Sequence, residues 1–450
     1  MKTNKPIYPL SPSQDVPYLQ CKYTLFKRVI NILTSVTLDE KFDYDLMTKA
    51  FNLLIERHDS LRIKFFKQKK ELMQYFDDAK PVKKIPVLEF KTEKAQQKFI
   101  AKTRKKGIKF LKGKVIEPYF IKTFDGKNMI FLKVCHLVLD IYGINVIFKD
   151  LLAIYDSIKN NKPLPTPPTS FEEVVKKDLK RKFNKEIADK NLKFFTDLLN
   201  ENPEPYYAGL HGPDNKIWQK KLKNNHRGMQ MFFIKNDTKD FCHKIDADLV
   251  KKVMTHCEEN AYSPATFLLY TCNLTAAMIN NNTANLLPLA LYNCRGSALE
   301  KNCAGCKVQS VACYTKINYG APFEENFKAF SSQQFSLYRH LGFPDREFET
   351  LLHKTYRSSW LETYYSLTFS FIPFDMPKGI AFKIYSNEKC ALPAYLAQLY
   401  DVNTGEIDMF YDVQTKIITE NDVANFHKKY LNIITQVIDN PTVKVKDIKL

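Results

Sequence analysis

Apolar positions between Asp43 and His58 fall at Leu46, Ala50, Phe51, Leu53, Leu54 and Ile55, a helical spacing, and the chain then alternates from Leu61 to Phe66 as a strand does. Lys127 to Val134 (KNMIFLKV) predicts a second strand, followed by an amphipathic helix over Gly143 to Ile158. The next segment, Asn160 to Ser170, holds Pro163, Pro165, Pro167 and Pro168, which lack N–H donors and suit neither a helix interior nor a strand ladder. A domain boundary is expected there, dividing the chain into 1–165 and 166–450.

Beyond the linker, Ser170 to Leu199 and Asp246 to His256 have helical patterns. Ser263 is placed to cap a further helix that has Pro264 at its first position and runs to Ile279. Strands are expected at Leu286 to Tyr292, Lys307 to Ile317, Tyr365 to Ile372 and Ile380 to Tyr385. The fold class is therefore mixed α/β in both halves. No period of repeat length recurs, which argues against a solenoid or propeller.

Composition narrows the class. A chain of 450 residues with 44% hydrophobic and 26% charged positions has the material for two cores. No apolar run approaches the roughly 18 to 20 residues that span a bilayer, and the first residues have no apolar core of a secretion signal, so a cytoplasmic location without a transmembrane segment is expected. Ten cysteines over this length are too sparse for a disulfide scaffold and are expected to be reduced thiols. The formal charge of +19 implies attraction to something acidic. Its lysines are spread along the whole chain, which fits a diffusely basic surface better than a nucleic-acid arm.

The candidate chemistry lies at Cys135-His136-Leu137-Val138-Leu139-Asp140-Ile141-Tyr142-Gly143, where a strand runs into a helix. Taken alone, His-x-x-x-Asp is a common spacing, and a lone His beside a strand is more often a core residue. The flanking segments change that reading. Tyr8 to Gln14 (YPLSPSQ), Leu54 to Arg62 (LIERHDSLR), Val134 to Leu151 with its trailing Lys149-Asp150-Leu151, and Asn293-Cys294-Arg295 with Gly305 downstream resemble, in order, the motifs of the nonribosomal-peptide condensation domains. The resemblance extends to a closing helix and strand over Phe426 to Leu450, and so covers nearly the whole chain.

In that family the core motif is His-His-x-x-x-Asp-Gly. Here Cys135 stands for the first His and Ile141 for the Gly. The resemblance assigns His136 as the catalytic base or orienting group, and makes Asp140 a structural residue paired with Arg295. It implies two chloramphenicol-acetyltransferase-like subdomains in a V with a central tunnel, and a monomer with no tightly bound cofactor. The donor would be an acyl or aminoacyl group on the phosphopantetheine of an acidic carrier protein acting in trans, and the acceptor a small amine or alcohol. Possible tunnel-lining residues are Cys135, Gly143, Ser366 and Ser370. Ile resists the positive φ that Gly tolerates, so Gly143 is the candidate to supply that freedom in place of the missing Gly.

Three rivals stand beside this free-standing acyltransferase: coenzyme A as donor on the same fold, a degenerate condensation fold that only recruits a partner, and, last, a nucleic-acid binder. Cys294, Cys303, Cys306 and Cys313 contain one pair at metal-ligand spacing and lack a second, so no metal is expected.

Overall fold

The computed structural model describes residues 4–213, 226–229, 236–390 and 392–450. It divides into two units, each built from separate stretches of chain. The first comprises 1–184, 293–308 and 375–387, and the second 185–292, 309–374 and 388–450. The expected cut at 165/166 differs from this in two ways. The helix Phe171–Lys182 stays with the first unit, and two later segments return to it. Both effects are tertiary: Asp59 caps that helix, and the strand Ile380–Tyr385 pairs with Asn31–Leu38.

The first unit centres on a five-stranded sheet in the order Ile380–Tyr385, Asn31–Leu38, Asn128–Cys135, Ile116–Lys122 and Val87–Glu89. Its neighbours are antiparallel except the last pair. Every residue of Asn128–Cys135 is buried, as suits a strand covered on both faces, and its C-terminal end delivers His136. The helices Tyr44–Arg57 and Ile141–Lys159 pack against one another. Between them, Asp150 accepts hydrogen bonds from Arg57 Nε at 2.9 Å and Nη2 at 3.1 Å, and lies 2.8 Å from His58 Nε2. Two segments singled out in the sequence, 54–62 and 149–151, thus meet as one brace. Asp59 makes the next link: Oδ1 accepts the Phe171 amide at 2.8 Å, and Oδ2 accepts the Ser170 hydroxyl at 2.6 Å and the Glu172 amide at 3.0 Å. A carboxylate from elsewhere in the chain thereby satisfies the open N–H groups of a helix start.

The second unit carries a six-stranded sheet ordered Val308–Ala312, Leu289–Asn293, Thr368–Phe374, Ala394–Asp401, Ile407–Gln414 and Thr238–Ile245. The helix Pro264–Ile279 is buried almost all round and forms the centre of its core, with Glu420–Asp439 packed beside it. Ser263 caps the former with Pro264 at its first position, as expected.

Several expected elements are divided. Ser170 to Leu199 is two helices, Phe171–Lys182 and Lys185–Asn200. The strand expected from Leu286 to Tyr292 breaks into Asn285–Leu286 and Leu289–Asn293 around Pro288, which has no N–H for a ladder. Its partner Lys307 to Ile317 breaks in step, into Val308–Ala312 and Thr315–Lys316, where the Cys313 amide donates to the Pro288 carbonyl. The tract expected from Tyr365 is a strand only over Thr368–Phe374, while Ile380–Tyr385 has its expected bounds. The chain closes with Glu420–Asp439, an isolated bridge between Lys444 and Pro322, and a short 3-10 turn rather than a strand. Among the described residues, no helix is long and apolar enough to cross a membrane.

The Asp59 cap is testable. Asp59→Ala removes three charge-assisted bonds and should lower unfolding free energy by about 2 kcal/mol, with Asp59→Asn losing less. Urea midpoints of the three proteins check this, and an unchanged midpoint for Asp59→Ala would show that the helix start needs no such partner.

Candidate active site

Strand Asn128–Cys135 ends against two neighbours: the Cys135 amide donates to Val115 O and the His136 amide to Ile30 O, both at 2.8 Å. The backbone then turns through Leu137 to Leu139, three fully buried residues, and Asp140 caps the helix Ile141–Lys159. The Asp140 side chain does more than cap. Oδ1 accepts the Gly143 amide at 2.6 Å and Arg295 Nη2 at 3.1 Å, and Oδ2 accepts Arg295 Nη1 at 2.9 Å and the Lys307 amide at 2.7 Å. Arg295 spends its remaining donors on the carbonyls of Gly305 at 2.7 Å and Cys303 at 3.3 Å and on Asn293 Oδ1 at 2.8 Å, with the Tyr142 ring 4.7 Å from its guanidinium carbon.

This bidentate pair is removed from water, Arg295 being 4% and Asp140 3% exposed. Burial alone would raise the Asp140 carboxyl, but Arg295 and the two amides hold it below the ordinary carboxylate range. Two glycines let the elements come this close. A β-carbon on Gly143 would stand 2.8 Å from the Gly305 carbonyl oxygen, and one on Gly305 would stand 2.1 Å from the buried Phe171 ring. Gly143 therefore serves close approach. It does not supply a positive φ, and Ile141 opens the helix without one, so the expectation that Gly143 replaces a missing left-handed glycine is corrected.

His136 is half-buried, while Cys135 behind it has no exposed surface. Burial lowers the His136 imidazole from its ordinary value, opposed in part by the backbone carbonyls of His136 and Leu139 and by the charge of Asp140. The ring is thus neutral at neutral pH and able to accept a proton. Cys306 Sγ lies 4.0 Å from Nδ1 and donates to the Ser13 carbonyl at 3.2 Å. Burial pushes the Cys135 and Cys306 thiols well up, so neither is a thiolate.

Of the residues singled out from the sequence, His136, Asp140, Gly143 and Arg295 come together in the first unit. Ser366 and Ser370 belong to the second, 1% and 4% exposed, and the Ser370 hydroxyl is 2.9 Å from that of Tyr395. The four cysteines of the spaced cluster do not converge: Cys313 bonds Gln334 and Val311, and among the described residues no three His, Cys, Asp or Glu side chains are grouped to hold a metal.

Other contributors were not read from the sequence. Gln14 Nε2 donates to Leu137 O at 2.8 Å and is itself held by Gln74, so the opening motif grips the His136 loop. The buried Lys307 pairs through Nζ with the half-buried Asp178 at 2.8 Å. The Gln14 role was approachable, since Tyr8 to Gln14 carries a motif. Gln74 lies in a segment with no distinguishing pattern, and Asp178 in one read from its spacing only as helix.

The fold and site define a class: a two-unit α/β protein with a neutral histidine at a strand end, on a loop locked by a buried Asp–Arg pair. The sequence matches the condensation-domain profile over residues 4–450, and the chain belongs to the condensation-domain family. A plipastatin synthase polypeptide of Bacillus subtilis (strain 168) is 19% identical over 443 residues, which take in 94% of this chain and 16% of that protein. Bacitracin synthase 2 from Bacillus licheniformis is 29% identical over 125 residues, 26% of this chain and 5% of that one. The chain thus spans a small part of the synthetases it matches.

Among solved structures, a variant of the starter condensation domain of rhizomide synthetase in complex with C8-CoA superposes with a TM-score of 0.81 at 13% identity, covering 99% of this chain and 98% of that one. The first condensation domain of the calcium-dependent antibiotic synthetase in complex with a substrate analogue gives 0.78 at 11% identity, with both chains covered in full. The condensation domain of the monacolin K polyketide synthase gives 0.79 at 13%, covering 98% and 99%.

Breaking the buried pair from one side should cost about 3–5 kcal/mol, whereas replacing both partners by apolar residues should cost much less. Arg295→Met, Asp140→Leu and the double variant, compared by denaturant unfolding at neutral pH, check this. The Asp140 carboxyl is depressed in the fold, so its contribution is present above its unfolded value of about 3.9 and is lost as pH falls through the folded value. The gap between wild type and Asp140→Leu should therefore narrow on acidification, and a gap constant down to acid pH would contradict the assignment.

Proposed function

We propose that the chain is an acyltransferase that moves an acyl or aminoacyl group from a phosphopantetheine thioester to an amine or alcohol, with His136 as the base. The observation that carries this reading is the state of His136: half-buried, neutral, and presented by a loop fixed by Asp140, Arg295 and Gln14. A neutral imidazole so placed takes the proton from the attacking nitrogen or oxygen as it bonds to the acyl carbon. The carbon–sulfur bond then breaks, and the thiolate recovers the proton as the free thiol. Proton transfer of this kind contributes roughly a hundredfold or more. Asp140 is tied up by four donors and takes no part in proton movement.

The donor we favour is a carrier protein, because a surface of formal charge +19 speeds encounter with an acidic partner. Coenzyme A is the second donor to consider, since the starter condensation domain of rhizomide synthetase was solved with C8-CoA. The departures at Cys135 and Ile141 do not by themselves argue for a degenerate site: the Cys135 thiol is buried and unionised behind the loop, and Ile141 starts the helix without a positive φ.

Octanoyl-loaded carrier protein and octanoyl-CoA, each offered with a panel of amines and alcohols, should give an acylated product by mass spectrometry. His136→Ala should lower kcat/KM by about a hundredfold or more. Because burial lowers the imidazole, the acid limb of the pH profile should lie below the ordinary value of about 6.5. Equal turnover by wild type and variant, or no product from any donor, would sink the reading in favour of a recruiting scaffold.

A further inference from the structure

A second group of ionisable side chains lies wholly within the second unit and is untouched by the acyl-transfer reading. Helix Asp345–Thr355 presents Glu349 and His353 one turn apart, with Glu349 Oε2 3.6 Å from His353 Nε2, longer than a hydrogen bond. Tyr365 is 4% exposed, and its hydroxyl faces the same carboxylate as the donor that lowers its proton affinity, short of good hydrogen-bond geometry. His353 Nε2 is likewise buried without a hydrogen bond. His353 Nδ1 is 2.7 Å from the Ser358 hydroxyl, and in the tautomer that donates Nδ1–H there, Nε2 is left as an acceptor. Burial keeps that ring neutral.

Glu349 therefore faces two groups, the His353 Nε2 acceptor at 3.6 Å and the Tyr365 hydroxyl, whose proton is the one donor the three bring. Among the described residues, the surrounding charges add no free cation. Arg227 is committed to Glu204 at 2.6 Å, Glu362 at 3.3 Å and the Tyr356 carbonyl at 2.7 Å, and Asp345, also acidic, accepts from Ser310. Buried polar atoms are normally satisfied, and the Glu349 side chain, 25% exposed, is partly removed from water with no cation beside it among the described residues, while still open to a ligand. At the outer side, the Trp360 ring lies 4.7 Å from that of His353 and is 57% exposed.

We propose that Glu349, His353 Nε2 and the Tyr365 hydroxyl oxygen form a binding site for the ammonium group of a primary amine, with Trp360 against its carbon stem. An ammonium has three donors for three acceptors, brings the charge that Glu349 lacks, and leaves an alkyl chain for an indole face. The proposal stands independently of His136. Without its ligand the site favours a protonated Glu349, whose carboxyl burial pushes up to about 7. The folded state then holds a proton that the unfolded chain releases near the ordinary value, so Glu349 lowers stability as pH rises through that window. A residue that weakens the empty fold at neutral pH is what a binding site would retain.

The test uses the full chain and n-butylammonium chloride, with sodium chloride and n-butanol as controls, read by thermal unfolding. Butylammonium should raise the wild-type Tm, while the controls should not. Glu349→Gln keeps the shape and removes the charge; it should unfold at higher temperature than wild type near about pH 8 without ligand, and should not respond to butylammonium. As the carboxyl protonates between about pH 8 and pH 6, affinity should fall about tenfold. Trp360→Ala should weaken the response while leaving its pH dependence. No Tm rise with butylammonium, or an equal rise in Glu349→Gln, overturns the site and leaves only a water-bridged cluster.

Discussion

The bidentate pair between Asp140 and Arg295 is the constraint on which the rest of the candidate site depends. It closes a circuit between a strand end, a helix start and a segment 155 residues further along. Such a pair holds its geometry because neither partner has an alternative: water is excluded, and every remaining donor of Arg295 and acceptor of Asp140 is occupied. The His136 loop inherits that rigidity. Its hydrophobic residues Leu137, Val138 and Leu139 point into the core, and the imidazole is the part of the loop left partly open.

Around this pair the first unit is assembled from reciprocal braces. Asp150 ties Arg57 and His58 to the helix behind the site, Asp59 starts the helix Phe171–Lys182, and the Phe171 ring of that helix covers Gly305, whose carbonyl Arg295 holds. Charge and close packing act in series here. The glycines at 143 and 305 bring backbone near backbone, and the carboxylates satisfy the donors that this closeness would otherwise strand.

How much of this was legible followed the range of the interaction. The helix Pro264–Ile279 and the strand Ile380–Tyr385 were readable because their own spacing and caps determine them. The roles of His136, Asp140 and Arg295 came through the resemblance, since no local pattern could pair residues so far apart. Pro288 shows the opposite limit. Its effect on its own strand follows from a missing N–H, but the matching break at Cys313 is imposed through a cross-strand partner that spacing does not reveal. The group around Glu349 was invisible for another reason: which side chains face that carboxylate, and that His353 Nε2 finds no donor among the described residues, depend on three-dimensional surroundings alone.

The discontinuity of the first unit has a consequence for the order in which the protein is made. Its sheet is complete only when Ile380–Tyr385 pairs with Asn31–Leu38, and its Asp140 carboxylate is neutralised only when Arg295 has emerged. A nascent chain that ends at the proline-rich segment has a bare sheet edge and a buried charge without its counter-ion. The two units therefore cannot mature in sequence, N-terminal before C-terminal. The sheet and the buried pair of the first unit can be completed only after most of the second has been synthesised.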